Sequence, residues 1–176
     1  RVTKINPDTN KIVYSGVGKT RDEIIESLNL NIHCINVESI EELFRIEKIA
    51  NELGVKAPIA IRINPSIDTN THSYVATGQE DSKFGISRDD MNDAFSYAIK
   101  SEDLNLIGIH YHIGSQILSV EPFILAIEFI ANVYNEVTSM GANIELINMG
   151  GGLGINYTNE SPPELNFFGE SIVDAI

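Results

Sequence analysis

The sequence predicts an α/β fold built on a parallel sheet. Short β-branched runs alternate with amphipathic helical stretches along the chain, which is the pattern of repeated βα units. The residues able to do chemistry gather directly after those runs, at the carboxyl ends of strands, where parallel sheets keep their ligands. With 176 residues, 43% of them hydrophobic, the chain is long enough to bury a full core.

The elements follow in order. A first strand is expected at residues 11–15, and Thr20 with Glu23 then forms a capping box that opens a helix. In the second strand, residues 31–38, Ile35 and Val37 point one way while Cys34, Asn36 and Glu38 point the other. Ser39 and Glu42 repeat the capping box, and Leu43, Ile46, Ile49, Ala50 and Leu53 form an apolar stripe that Gly54 ends. The third strand, residues 57–64, places Ile59, Ile61 and Ile63 on one face and Ala60, Arg62 and Asn64 on the opposite one. Residues 65–86 form a long loop, of a length usually given to function or mobility. Ser87 and Asp90 make a weaker cap before the next helix. The fourth strand, residues 106–113, shows Ile107, Ile109, Tyr111 and Ile113 on one face and Leu106, Gly108, His110 and His112 on the other. Pro122 suits the first turn of the helix that follows. In a fifth strand, residues 144–149, Asn148 shares a face with Ile144 and Leu146.

Charge and cysteine usage narrow the partners. A formal net charge of -13, from 12 basic and 25 acidic residues, argues against nucleic acid and anionic membrane surfaces by repulsion. Small-molecule substrates and protein partners remain. Cys34 is the only cysteine, so no intrachain disulfide can form, and a packing role in a reduced, cytoplasmic setting is expected. No run of about 18 apolar residues and no charged-then-apolar leader is visible, so the glycosylation patterns at Asn156 and Asn159 are read as chance matches. The chain opens on Arg1, and residues 171–176 read as a helix cut short, so a piece of a longer protein is expected.

Several strands end in polar groups on what should be one shared interior. Two explanations fit: a polar layer of a barrel interior, or an active site at the carboxyl ends of the strands. The stretch His110-Tyr-His-Ile-Gly-Ser-Gln116 carries most of the chemistry, with Gly114 and Ser115 making a tight exit from the strand. After the fifth strand comes Asn148-Met-Gly-Gly-Gly-Leu-Gly154, whose glycines can reach positive φ and converge backbone N–H groups on an anion such as phosphate, or simply make a turn. Ile155 stands where a dinucleotide fingerprint from Gly150 needs glycine, and no Gly-Lys-Ser/Thr follows, so neither usual nucleotide loop is present. His110 and His112 share a face and could hold zinc, but that geometry needs further ligands where the next strand offers Asn148 and glycines.

Taken together these segments resemble the fold-type III pyridoxal-phosphate decarboxylases, and within them the diaminopimelate decarboxylase branch. The resemblance runs through Ile12-Val-Tyr-Ser-Gly-Val-Gly-Lys-Thr20, Ile35-Asn-Val-Glu-Ser39, Arg62-Ile-Asn-Pro65, Thr71-His72, Thr77-Gly78, Lys83-Phe-Gly-Ile86, Gly108–Gln116 and Gly150–Tyr157, in matching order and spacing. It implies a partial (β/α)8 TIM barrel of the alanine racemase/decarboxylase type, with the third to seventh strands in residues 1–176. The lysine-bearing N-terminal part, the Glu-Pro-Gly-Arg motif and the C-terminal β domain would lie outside, leaving this segment inactive by itself. The implied cofactor is pyridoxal 5'-phosphate, with His112 as the catalytic imidazole against one face of its ring. Ser115 and the backbone of Gly150, Gly151 and Gly152 are implied as phosphate ligands. Arg62 is implied as an inward cation near the cofactor, although an ion pair with Glu38 explains it equally well. Asn148 stands where ornithine-type relatives carry Asp, and Lys83-Phe-Gly85 resembles a segment at the site mouth and dimer interface. His110 is expected to support from below, and His33 and His72 to be structural or solvent-facing. The implied reaction releases CO2 from meso-diaminopimelate to give L-lysine, in a homodimer of the full-length protein. The alternatives are decarboxylation of a related basic amino acid, a non-catalytic cofactor-binding homologue, and, more remotely, a metal-dependent amidohydrolase.

Overall fold

The computed structural model describes residues 8–67 and 84–176. A 3-10 turn at Thr9–Lys11 leads into five parallel strands: β1 (Val13–Tyr14), β2 (Cys34–Val37), β3 (Ala57–Ile63), β4 (Leu104–Tyr111) and β5 (Leu146–Asn148). Between and after them run α1 (Arg21–Asn29), α2 (Ile40–Leu53), α3 (Met91–Lys100), α4 (Glu121–Ser139) and α5 (Leu165–Ala175). Spatial order equals chain order. With right-handed crossovers, a sheet that always advances in one direction keeps its helices on one face, which is the course of a barrel arc; a doubly wound sheet must reverse.

The burial pattern fits that course. The main core packs Ile35, Val37, Ile59, Ile61, Ile63, Ile109 and Tyr111 of the sheet against Ile24, Leu43, Ile46, Ile49, Phe95, Ile130 and Val133 of the helices. The opposite, concave face carries a small cluster of Cys34, Ala60 and Ile107, flanked by Val13 and Leu146. Cys34 is fully buried there, and burial pushes its thiol up to about 11.

β4 departs from simple alternation. Leu106 pairs with Ile59, but the next registered pair is Ala60 with Gly108, so Ile107 is an extra residue, a bulge. Leu106 therefore joins the helix-facing core, while Ile107 turns to the concave side. The alternation read from sequence holds from Gly108 onward and is inverted before it. Gly108 lets β3, β4 and β5 close up: a Cβ there would stand 2.8 Å from Leu146 O and 3.1 Å from the Cβ of Ala60.

Local signals mostly behave as the sequence predicts. The Thr20 box closes, with Glu23 N–H donating to Thr20 Oγ1 at 3.3 Å and Thr20 N–H to Glu23 Oε2 at 2.8 Å. The Ser39 cap is only half a box, because the Glu42 side chain is used elsewhere. Ser87 and Asp90 exchange hydrogen bonds in a turn one residue ahead of α3, without capping it. Gly54 ends α2 at φ 65°, Pro122 lies in the first turn of α4, and Leu53 falls outside the buried stripe at 37% exposed. The second strand starts later than expected because Asn31, at φ 51°, belongs to the turn that ends α1.

Gly108→Ala is expected to cost about 1–3 kcal/mol by overpacking against the β5 backbone. The urea midpoint of the full-length protein measures it; an unchanged midpoint would contradict the close approach of β4 and β5.

Candidate functional site

The carboxyl ends of the strands bring the polar groups together. Arg62, His110 and Asn148 are consecutive partners across β3, β4 and β5, forming one rung on the concave face. Arg62 Nη1 donates to Glu38 Oε2 at 2.5 Å, and Gly16 N–H donates to Glu38 Oε1 at 3.2 Å. The ion pair between Arg62 and Glu38 is thus formed, and the guanidinium also lies 5.7 Å from the centre of the Phe84 ring. Phe84 and Gly85 reach this position because residue 86 bridges back to Ile63. Thr71, His72, Thr77, Gly78 and Lys83 lie outside the described residues.

Behind the rung is a buried cation that sequence reasoning missed. Lys19 is 1% exposed, and its Nζ donates to Gly16 O at 2.6 Å, Asn36 O at 2.6 Å and Glu42 Oε1 at 2.7 Å. The same carboxylate oxygen accepts Glu38 N–H at 3.1 Å, which is why Glu42 does not close the Ser39 box. The signal was present. Glu42 sits four residues before Ile46 on the buried side of α2, and a carboxylate in a core stripe requires a partner.

His110 is 5% exposed, and its Nδ1 has no hydrogen-bond partner among the described residues. Burial, helped by the nearby charges of Arg62 and Lys19, pushes its pKa down to about 3, so the imidazole is neutral. His112 lies just past β4, half-buried, and accepts Gly151 N–H on Nδ1 at 3.3 Å. An accepting Nδ1 places the proton on Nε2. Burial and Arg62 lower its pKa, with Glu38 opposing, which favours that neutral form.

The glycine loop is shaped by this contact. Gly150 takes φ 72°, donates its N–H to Asn148 Oδ1 at 3.0 Å, and approaches β4 so closely that a Cβ would lie 2.7 Å from His112 Nδ1. At Gly152, φ 117°, a Cβ would lie 2.0 Å from Gly114 O. Gly151 alone faces open space, with nothing within 4 Å of its missing Cβ. Ser115 is exposed in the bend between Gly114 and Gln116. His112, Ser115 and Gly150–Gly152 therefore come to one end of the sheet, with Arg62 on the adjoining concave face but committed to Glu38. His33 is exposed, away from this cluster. A neutral, oriented imidazole beside an open glycine backbone and a hydroxyl suits a planar ring carrying an anionic arm, so the residues present fit a pyridoxal-phosphate-type group.

Over residues 1–176 the chain matches the family described as pyridoxal-dependent decarboxylase, pyridoxal binding domain. The chain belongs to this family. As a pyridoxal-binding domain it is 44% identical over 163 residues to diaminopimelate decarboxylase of Pseudomonas aeruginosa, covering 93% of this chain and 39% of that protein. It is 42% identical over 176 residues to the Helicobacter pylori enzyme, covering 100% of this chain and 44% of that protein. The crystal structure of the Helicobacter pylori diaminopimelate decarboxylase complexed with L-lysine superposes with a TM-score of 0.86 at 42% identity, covering 95% of this chain and 42% of that one. The chain thus spans about two fifths of the length of the curated relatives it matches. The barrel architecture expected from the sequence agrees with these neighbours.

Two measurements test this electrostatic layout. Lys19→Met leaves Glu42 buried without its cation and is expected to destabilise the full-length protein by about 3–5 kcal/mol. Adding Glu42→Gln should recover most of that loss in denaturant unfolding. For His110 the folded pKa lies below the ordinary value of 6.5, so the unfolded chain binds the extra proton between them. Stability is then lost as pH falls from about 6.5 toward 3, by up to about 1.4 kcal/mol per pH unit. His110→Gln should flatten this part of the acid limb, read from unfolding midpoints at about pH 7 and about pH 4.5.

Proposed function

We propose that this chain is the cofactor-holding barrel segment of a decarboxylase that converts meso-diaminopimelate to L-lysine with pyridoxal 5'-phosphate. One observation carries the reading: the two stretches that build the site, His110–Gln116 and Gly150–Ile155, meet at the ends of β4 and β5 in a chain 42% identical over its whole length to a diaminopimelate decarboxylase. When bound, the cofactor supplies an electron sink for the pair released as CO2 departs. His112, neutral and held through Nδ1 by Gly151, presents a flat ring against the cofactor plane and keeps the bond to be broken aligned with it. Ser115 and the backbone of Gly150, Gly151 and Gly152 take the phosphate, as loops after late barrel strands commonly do. For Gly150 and Gly151 this means sharing N–H groups that also meet Asn148 and His112. Arg62, pinned by Glu38, stands beside the ring as a fixed, charge-balanced group that orients its neighbours.

The Schiff-base lysine and the carboxylate facing the ring nitrogen are assigned to the remaining length of the protein, with a C-terminal β domain, and the segment by itself is expected to be inactive. A homodimer in the cytoplasm is the expected setting, with a free amino acid as substrate. Among the described residues no helix is long and apolar enough to cross a membrane.

Full-length protein loaded with pyridoxal 5'-phosphate is expected to release CO2 from meso-diaminopimelate and to form lysine. Turnover of ornithine or arginine in its place would assign a different branch, and no turnover of any of the three would overturn the enzymatic reading. His112→Ala should weaken cofactor binding about tenfold, the scale of one lost ring contact. An unaltered cofactor absorbance band and rate would remove His112 from its place.

A further inference from the structure

The loops after β4 and β5 are joined by more than His112. Ile117 N–H donates to Gly152 O at 2.9 Å, and Gly154 N–H donates to Ile117 O at 2.8 Å. One residue earlier, Gln116 extends this pairing with its side chain. Its Oε1 accepts Ile155 N–H at 3.0 Å, and its Nε2 donates to the Ile155 carbonyl. The carboxamide thus acts as a further peptide group in the ladder between the two loops.

The Gln116 backbone stands at φ 59°, where side-chain-bearing residues are uncommon and where glycine or asparagine is the easier choice. Glycine would satisfy the turn but would leave both Ile155 groups without the side chain that now bonds them. Ser115 lies immediately before this residue, and on its other side the Gly114 carbonyl packs against Gly152. The bend that presents the Ser115 hydroxyl is therefore held against the glycine loop from both sides.

We propose that Gln116 is a positioning residue for the phosphate subsite. By bonding both backbone groups of Ile155, its carboxamide fixes the spacing between the Ser115 hydroxyl and the Gly150–Gly152 backbone, so one anion meets both loops at once. This rests on the reading that these loops take the cofactor phosphate.

The test compares pyridoxal 5'-phosphate with pyridoxal on full-length protein freed of cofactor, because the two ligands differ only in the phosphate. Wild-type protein is expected to favour the phosphorylated ligand strongly. Q116G relieves the left-handed backbone and Q116M preserves side-chain length without the amide. Each should lower the affinity ratio by about tenfold or more, the scale of a lost charge-assisted hydrogen bond. Amide exchange at Gly154 and Ile155 in the cofactor-free protein should accelerate in both variants. A wild-type ratio near one would overturn the phosphate reading itself. A large wild-type ratio that either folded variant retains would overturn the role of Gln116 and leave the phosphate reading standing.

Discussion

The Lys19 ammonium is the constraint on which the site end of this fold depends. Its three acceptors come from the loop after β1, from β2 and from α2, so one buried charge joins three successive pieces of chain. Burying an ammonium is expensive unless every proton finds an acceptor. Here each does, and the carboxylate that neutralises Lys19 also accepts the N–H of Glu38. Glu38 in turn holds Arg62. Two cations and two carboxylates thus form a balanced set whose geometry passes from β1 to β3 without a net charge.

That balance matters in an acidic chain. A net charge of -13 spread over the surface would repel an anionic ligand, yet at the concave end Glu38 and Glu42 are each matched by a cation, Arg62 and Lys19, and His110 is neutral. The rung of Arg62, His110 and Asn148 then hands over to two loops whose contacts are mostly backbone. Glycines are required at 150 and 152 because the loop lies directly on the exit of β4, whereas Gly151 leaves the opening. One loop therefore both packs and leaves room, and the division falls between adjacent residues.

Much of this was legible along the chain. The order of strands and helices followed from periodicity, the Thr20 cap from its spacing to Glu23, and the two chemical stretches from residue type. The faces of β4 were half legible. From Gly108 to Tyr111 the alternation is right, but Ile107 breaks it, and a bulge leaves no mark in a run of apolar residues. The pair of Glu38 and Arg62 could be named but not chosen over a free cation, because choosing needs the distance between strands. Lys19 was overlooked since a lone lysine after Gly-Val-Gly looks like a surface residue until its acceptors are assembled.

The sequence by itself determined the element order, the parallel α/β class, the family and the two motifs that end on the same edge of the sheet. These depend on local preference and on residue type at fixed spacing, which a chain carries wherever it folds. Tertiary structure alone decided that Ile107 turns inward, that Glu42 leaves its cap for Lys19, that His112 accepts from Gly151, and that Gln116 bonds Ile155. Each of these joins residues separated by 23 to 39 positions, or follows from the register between two strands. Such contacts are selected by the competition among buried polar groups for partners, and that competition exists only once the strands are side by side.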